Sequence, residues 1–210
     1  MWAGVDVGAH RLHIVALDRR LRVVRAEVVD ASRTAEAVDV VAAAQGIAVD
    51  SPGAWSTAPH ATDETIARKF RRGRCGEIAL GRQYRIWVPW PTPPEPAPGT
   101  WMAAGIELFA SLRAAGHDPV EAYPYGGFRL LGRGPLPKKT TPQGRAGRAQ
   151  LLRSAGVDAV GLERLEHSHD FLDAALVALV ARQRSLGTAR VATCGHDHSA
   201  IWLPAPWPAA

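Results

Sequence analysis

The 210-residue chain has only two cysteines, Cys75 and Cys194, and no CxxC pair. That excludes a disulfide framework and a zinc knuckle of the usual spacing, and both residues are expected as reduced thiols. Long apolar runs are also missing. The longest, such as Ala174–Ala181, fall far short of the roughly 20 residues that cross a bilayer, and no charged segment with an apolar core opens the chain. A soluble, cytoplasmic protein with no membrane partner is expected. Long polar runs are absent too: hydrophobic residues make up 47% and charged residues 21%, which excludes global disorder. Charge of one sign is only slightly in excess, since 25 Lys and Arg against 20 Asp and Glu leave +5. This permits a nucleic-acid partner without requiring one. No internal repeat is present, and the length fits one domain over residues 1–210.

What the sequence does contain is a succession of short apolar segments. Trp2–Ala9, Arg11–Asp18 and Arg22–Val29 are rich in Val, Ile and Leu and separated by one to three turn-like residues, so they read as an antiparallel meander. Thr34–Gln45 places Ala37, Val38, Val41 and Ala44 at helical spacing, with Thr34 as N-cap and Gly46 as the stop. Gly46–Asp50 fits a strand buried on both faces that ends in a carboxylate. From Ser51 to Gly99 periodicity fails: the basic run Arg68–Arg74 is followed by Pro89–Pro98, in which six of ten residues are proline. Residues 51–99 are therefore expected as an irregular, basic and proline-rich insertion running over the surface. Regular structure resumes with a helix at Trp101–Ala115, a strand at Pro119–Tyr123 and helices at Gln143–Ala155 and Ser168–Leu186. Strands at Arg190–Cys194 and Ala200–Leu203 follow.

Acids set in apolar surroundings are the chemical signal. Asp6 lies in the middle of the first strand, where an unpartnered carboxylate is costly and a cation or hydrogen-bond network is expected to meet it. Asp50 repeats the arrangement in Ala48–Pro52. If its strand lies beside the first, the two carboxylates emerge together and call for a divalent ion with a preference for oxygen ligands. Asp170 and Asp173, three apart, share a face of the first turn of an apolar helix; capping alone explains Asp170 better than Asp173. Glu121, in the strand around Val120–Ala122, is a weaker candidate, since an edge strand would leave it in water.

In this order the motifs resemble the RNase H-like superfamily, and more closely the domain-of-unknown-function family 429, described as predicted RNase H-like nucleases. The resemblance rests on GVDVGA at Gly4–Ala9, AVDSP at Ala48–Pro52, WMAAGIEL at Trp101–Leu108 and VEAYP at Val120–Pro124. The basic run from Lys138 to Leu152 and HDFLDAALVA at His169–Ala178 complete it, over nearly the whole chain. It implies an α/β fold with a mixed five-stranded core sheet, three antiparallel strands then parallel strands, flanked by helices. It also implies a metal-dependent nuclease that hydrolyses phosphodiester bonds with two Mg²⁺ or Mn²⁺ ions. Asp6 would bridge the ions, Asp50 would hold one, and Asp170 or Asp173 the other, with Glu121 as a further catalytic candidate. The glutamate that ribonucleases of this type carry on the first helix has no clear counterpart, because Glu36 stands too near the helix start.

Nucleic-acid contacts are expected from Arg68, Lys69, Arg71, Arg72 and Arg74, with Phe70 as a stacking aromatic, and from Lys138, Lys139, Arg145 and Arg148. Three other readings compete. Cys194, His196 and His198 alternate, and His167 with His169 precede them, yet the spacing matches no usual zinc signature, so a strand thiol followed by turn residues is the expectation. The Asp-x-Gly of the first strand also opens sugar kinases and actin-like ATPases, but those use two such domains and the chain is too short. A catalytically inactive RNase H-fold module that binds nucleic acid or another partner is the remaining alternative.

Overall fold

The structure, a computed structural model, describes residues 1–205. Three antiparallel strands open it: β1 (Trp2–Val7), β2 (Arg11–Leu17) and β3 (Val23–Asp30). The tight turn after β1, where Gly8 N–H donates to the Arg11 carbonyl at 2.9 Å, sets the register that pairs Asp6 with His13. Helix α1 (Thr34–Val41) crosses over to β4 (Gly46–Asp50), which runs parallel to β1 and pairs Asp50 with Asp6. Strand β5 (Val120–Ala122) lies parallel to β4. At the far edge are β6 (Arg190–Ala192) and β7 (Ile201–Leu203), with β7 parallel to β5 and β6 antiparallel to β7. The sheet order is β3-β2-β1-β4-β5-β7-β6. Its first five strands, three antiparallel and then two parallel, have the arrangement expected from the sequence, and the last two extend it to seven.

Strand alternation divides the core. Ala3, Val5 and Val7 of β1 face α1 and α3 (Trp101–Ala114), packing with Val41, Leu108, Phe109 and Leu112. The opposite face carries α7 (His169–Ser185), flanked by α4 (Pro124–Leu131), α5 (Pro142–Ser154) and α6 (Ala159–Leu165). Gly4 permits α7 to lie directly on β1. A Cβ there would stand 2.1 Å from the Ala174 carbonyl oxygen and 2.2 Å from the Ala178 nitrogen, both helix backbone. Asp6, two residues further along the same face, therefore meets the first turn of α7, where Asp170 and Asp173 stand.

Several expectations are corrected. Thr34 is the first helical residue rather than the cap. Arg33 occupies the cap position with no side-chain hydrogen bond, and the Thr34 hydroxyl instead accepts from Ser111 at 3.1 Å. The insertion is not wholly irregular, because it contains helix α2 (Cys75–Tyr84). Its residues Cys75 through Gly81 are all buried, so no apolar stripe betrays it. Helices α4 and α6 are likewise additions; α4 begins at Pro124 and contains Gly126 and Gly127 packed on neighbouring side chains. Cys75 and Cys194, expected as thiols, are joined in a disulfide: the start of α2 and the end of β6 bring their Cα atoms to 5.3 Å, within the range that a disulfide spans. Among the described residues no helix is long and apolar enough to cross a membrane.

Candidate active site

Asp6 and Asp50 end adjacent parallel strands in exact register, and both point to the α7 face. Gly4 and Gly46, on the same sides of their strands, would each carry a Cβ into α7 backbone or side chains. Asp170 and Asp173 reach the same place from the start of α7, where the positive end of the helix dipole offsets part of their charge. His13, opposite Asp6 on β2, completes the group: one ligand atom each from Asp6, His13 and Asp170 lie within 4.8 Å of one another. The His13 Nε2 stands 3.9 Å from an Asp170 oxygen, and His169 Nε2 stands 3.3 Å from the other.

This concentration of acid is electrostatically expensive. Burial first, then the charges of Asp50 and Asp173, hold the Asp6 carboxyl well above its ordinary range. Burial and Asp173 push Asp50 up to about 7, although a hydrogen bond with Asp6 opposes the rise. Burial also raises Asp173, against the pull of Lys139, whose Nζ lies 2.7 Å from it. Lys139 is the closest cation to the group. Burial alone would lower its pKa, but the charges of Asp173, Asp6 and Asp50 raise it. Burial lowers His13 despite Asp170, which favours a neutral imidazole. One ammonium facing this many carboxylates leaves a site that neutralises itself by holding protons or by binding a cation.

Glu121 does not join the cluster. The β4–β5 register sets it opposite Val49, not Asp50, and so on the other face of the sheet. There its carboxylate accepts from Gly53 N–H at 2.8 Å and from the Arg74 guanidinium at 2.5 and 2.7 Å. Arg74, expected to meet nucleic acid, is only 3% exposed and also faces Glu77 at 3.5 Å; these two acids keep its pKa raised despite burial. The rest of the basic run divides. Arg68 and Lys69 are exposed, Arg72 pairs with Glu95, and Arg71 Nε donates to the Ile66 carbonyl at 2.8 Å. Phe70 is stacked on Trp87 at 4.5 Å, which covers one face of its ring. In the second basic set Arg145 donates to the Glu166 and Thr140 carbonyls. Arg148 is buried under the acids, 4.0 Å from Asp173. Lys138 is exposed at the rim.

The acids open into a cavity of about 620 Å³ whose walls include Lys138, Lys139, Arg148, Trp101, Tyr123 and Trp90. Trp90 is 72% exposed, so the proline-rich part of the insertion forms a wall of this cavity. Sequence reading missed His13, Trp90 and the role of Lys139 as the counter-ion of Asp173. His13 was within reach, because a three-residue turn after β1 fixes which residue of β2 faces Asp6.

Comparison with known proteins adds the following. The family model described as "Protein of unknown function (DUF429)" matches residues 4–197. Two solved structures of Thermus thermophilus RuvC are similar to the chain at 16% identity, each covering 89% of this chain and 96% of the other. One, in complex with a Holliday junction substrate, has a TM-score of 0.46, and the other has 0.44. No curated protein matches. With the family match spanning nearly all of the strands and helices described above, the chain belongs to the DUF429 family of proteins of unknown function.

Proposed function

We propose that the protein is a divalent-metal-dependent nuclease, hydrolysing phosphodiester bonds at Asp6, Asp50, Asp170 and Asp173. The observation that carries this reading is the convergence of these four carboxylates from two strands and one helix at a single cavity, opposed by one close ammonium, Lys139. The donor set fits Mg²⁺ or Mn²⁺, for it consists of hard carboxylate oxygens with His13 as its one nitrogen, and it contains no thiolate. Asp6 and Asp50, both raised chiefly by burial and by neighbouring carboxylates, would hold the cations together with Asp170 or Asp173. Bound there, such ions supply Lewis acidity at a phosphoryl oxygen and offset the charge that develops on the leaving oxygen.

The chain's own groups would do the rest. Lys139 holds Asp173 in place. Among the described residues the buried Arg148 Nε has no hydrogen-bond partner and lies in the cavity wall. It faces Asp173 at 4.0 Å, so the guanidinium adds positive charge beneath the acids. Lys138 adds positive charge at the mouth, and exposed Trp90 offers a ring on which an unpaired base can stack. Arg68 and Lys69 stand exposed on the insertion as further backbone contacts.

The test is calorimetric titration of Mn²⁺ and Mg²⁺ into the wild type and Asp6→Asn, beside cleavage of pooled DNA and RNA. The expected result is metal binding and cleavage that both need Asp6, with unchanged circular dichroism in the variant. Metal binding without cleavage of any substrate would support the inactive-module alternative. Cleavage of full strength by Asp6→Asn would overturn the assignment.

A further inference from the structure

A second cluster lies on the other side of α2. His60 and Cys75 from the insertion meet Cys194 and His196 from the loop between β6 and β7, with one ligand atom from each within 4.8 Å of all the others. We propose that the reduced chain binds one Zn²⁺ at His60, Cys75, Cys194 and His196, and that this ion clamps the insertion to the distal edge of the sheet.

The geometry is close to what the ion requires. The His60 Nε2 lies 3.1 Å and the His196 Nδ1 3.4 Å from the Cys194 sulfur. Tetrahedral Zn²⁺, with bonds of about 2.3 Å to sulfur and about 2.0–2.1 Å to nitrogen, places ligand atoms roughly 3.3–3.8 Å apart. Both imidazoles thus already stand near ligand spacing from the Cys194 sulfur, and opening the disulfide lets the two sulfurs separate to theirs. The ring planes of His60 and His196 meet at 76°, with centroids 5.1 Å apart, so the rings converge on the sulfurs without stacking.

The surroundings of Cys75 are those of a thiolate. Two backbone amides, of Cys194 at 3.1 Å and His196 at 3.4 Å, donate to its sulfur. A neutral sulfur is a weak acceptor, whereas hydrogen bonds to a charged acceptor are about twice as strong. Cys75 is also the first residue of the ten-residue helix α2, whose positive end favours the anion. The loop that delivers Cys194 and His196 is braced from behind. Asp197 accepts from Cys75 N–H at 3.1 Å and from the Ser199 N–H and hydroxyl, while Ser199 accepts from Gly76 N–H at 2.8 Å. Partners of this kind orient ligands in metal sites. Four protein ligands leave no open position, which is the arrangement of a structural zinc. Because α2 also carries Glu77 and follows Arg74 in the cavity wall, the clamp fixes the wall that faces the acids.

Loading starts from the disulfide. A phosphine reductant opens the Cys75–Cys194 bond, taking oxygen from water to become the phosphine oxide, and leaves two thiols; Zn²⁺ then displaces their two protons. The experiment takes the full chain reduced with a phosphine, titrates it with Co²⁺ and then Zn²⁺, and counts bound metal by mass spectrometry. Expected are one ion per chain more than Cys194→Ser takes up, a thiolate-to-cobalt charge-transfer band with tetrahedral d–d bands, and the release of two protons on filling of this site. Cys194→Ser and His196→Asn should each weaken Zn²⁺ binding by more than the roughly 10–100-fold that loss of a partner behind a ligand brings. His196 is exposed, so its replacement leaves folding intact. Asp6→Asn should leave the cobalt spectrum unchanged, separating this site from the acid cluster. Absence of the charge-transfer band in the reduced wild type, an identical band in Cys194→Ser, or equal Zn²⁺ binding by the disulfide form would each overturn the proposal.

Discussion

Replacing Asp50 by Asn should stabilise the metal-free protein, and only above acid pH. The Asp50 carboxyl titrates ordinarily at 3.8 and is pushed to about 7 in the folded chain, by burial first and then by Asp173. As pH rises from 4, the unfolded chain gives up this proton readily while the folded chain resists. Stability is therefore fully present below about pH 4 and is lost progressively until the folded carboxyl has ionised near pH 7. A rise from 3.8 to about 7, at about 1.4 kcal/mol for each pH unit, corresponds to about 4 kcal/mol as a ceiling. Asn has the same shape, keeps an oxygen and a donor for Asp6, and carries no charge to desolvate. It also removes the second cause of the raised Asp6 pKa, so the neighbour reinforces the gain.

Urea unfolding at pH 4, 6 and 8 in the presence of a chelator measures this difference, because titrating groups remote from Asp50 are common to both proteins and cancel, leaving Asp50 and the Asp6 carboxyl coupled to it. Wild type and Asp50→Asn should coincide at pH 4 and separate by up to about 4 kcal/mol at pH 8, the variant being the more stable. Added Mn²⁺ should then raise the wild type at pH 8 and do less for the variant, since an ion that binds the native state stabilises it by mass action. A gap that does not change with pH, or a variant less stable than the wild type throughout, would refute the reasoning. It would mean that Asp50 is held by hydrogen bonds and not strained by its neighbours.

Two further substitutions probe the frame around the site. Gly4→Ala places a methyl 2.1 Å from the backbone of α7 and should cost about 3 kcal/mol or more, read as a fall in melting temperature; a melting point within a degree or two of the wild type would show that α7 does not rest on β1 here. Arg74→Met leaves Glu77 and Glu121 buried without their cation and should cost about 3–5 kcal/mol. The triple variant with Glu77→Gln and Glu121→Gln should recover most of this in chemical denaturation, and a triple variant as unstable as Arg74→Met would show that the arginine acts by packing alone.

The reach of the sequence follows from what local periodicity carries. Within a strand, residues two apart share a face, so the apolar Val5 and Val7 on one side of β1 leave Gly4 and Asp6 on the other. The short turn at Gly8–His10 transmits that parity to β2, and the crossover through α1 delivers Asp50 at the end of a strand with the same apolar pattern. These steps involve few residues and were legible. Charge is legible in kind but not in purpose: Arg74 stands in the same basic run as exposed Arg68, and only the fold reveals that Glu77 and Glu121 are waiting for it. The His60–Cys194 contact spans 134 positions and the cysteine pair 119, with no motif inside either interval to announce it.

Glu121 shows where the reach ends. In sequence it repeats the pattern of Asp6 and Asp50, an acid within a short apolar strand, and the inference that like patterns share a fate is sound within one strand. Between strands it needs a register. Asp50 and Glu121 are separated by the whole insertion, α2 and α3, so nothing local dictates whether Asp50 or Val49 lies opposite Glu121. The fold takes Val49, and a slip of one residue reverses the face. The slip also has a physical reason: on the α7 face Glu121 would add another carboxylate to a group already short of cations, whereas on the far face Arg74 and the Gly53 amide satisfy it. The register that periodicity leaves open is thus the one in which Glu121 finds a cation and an amide.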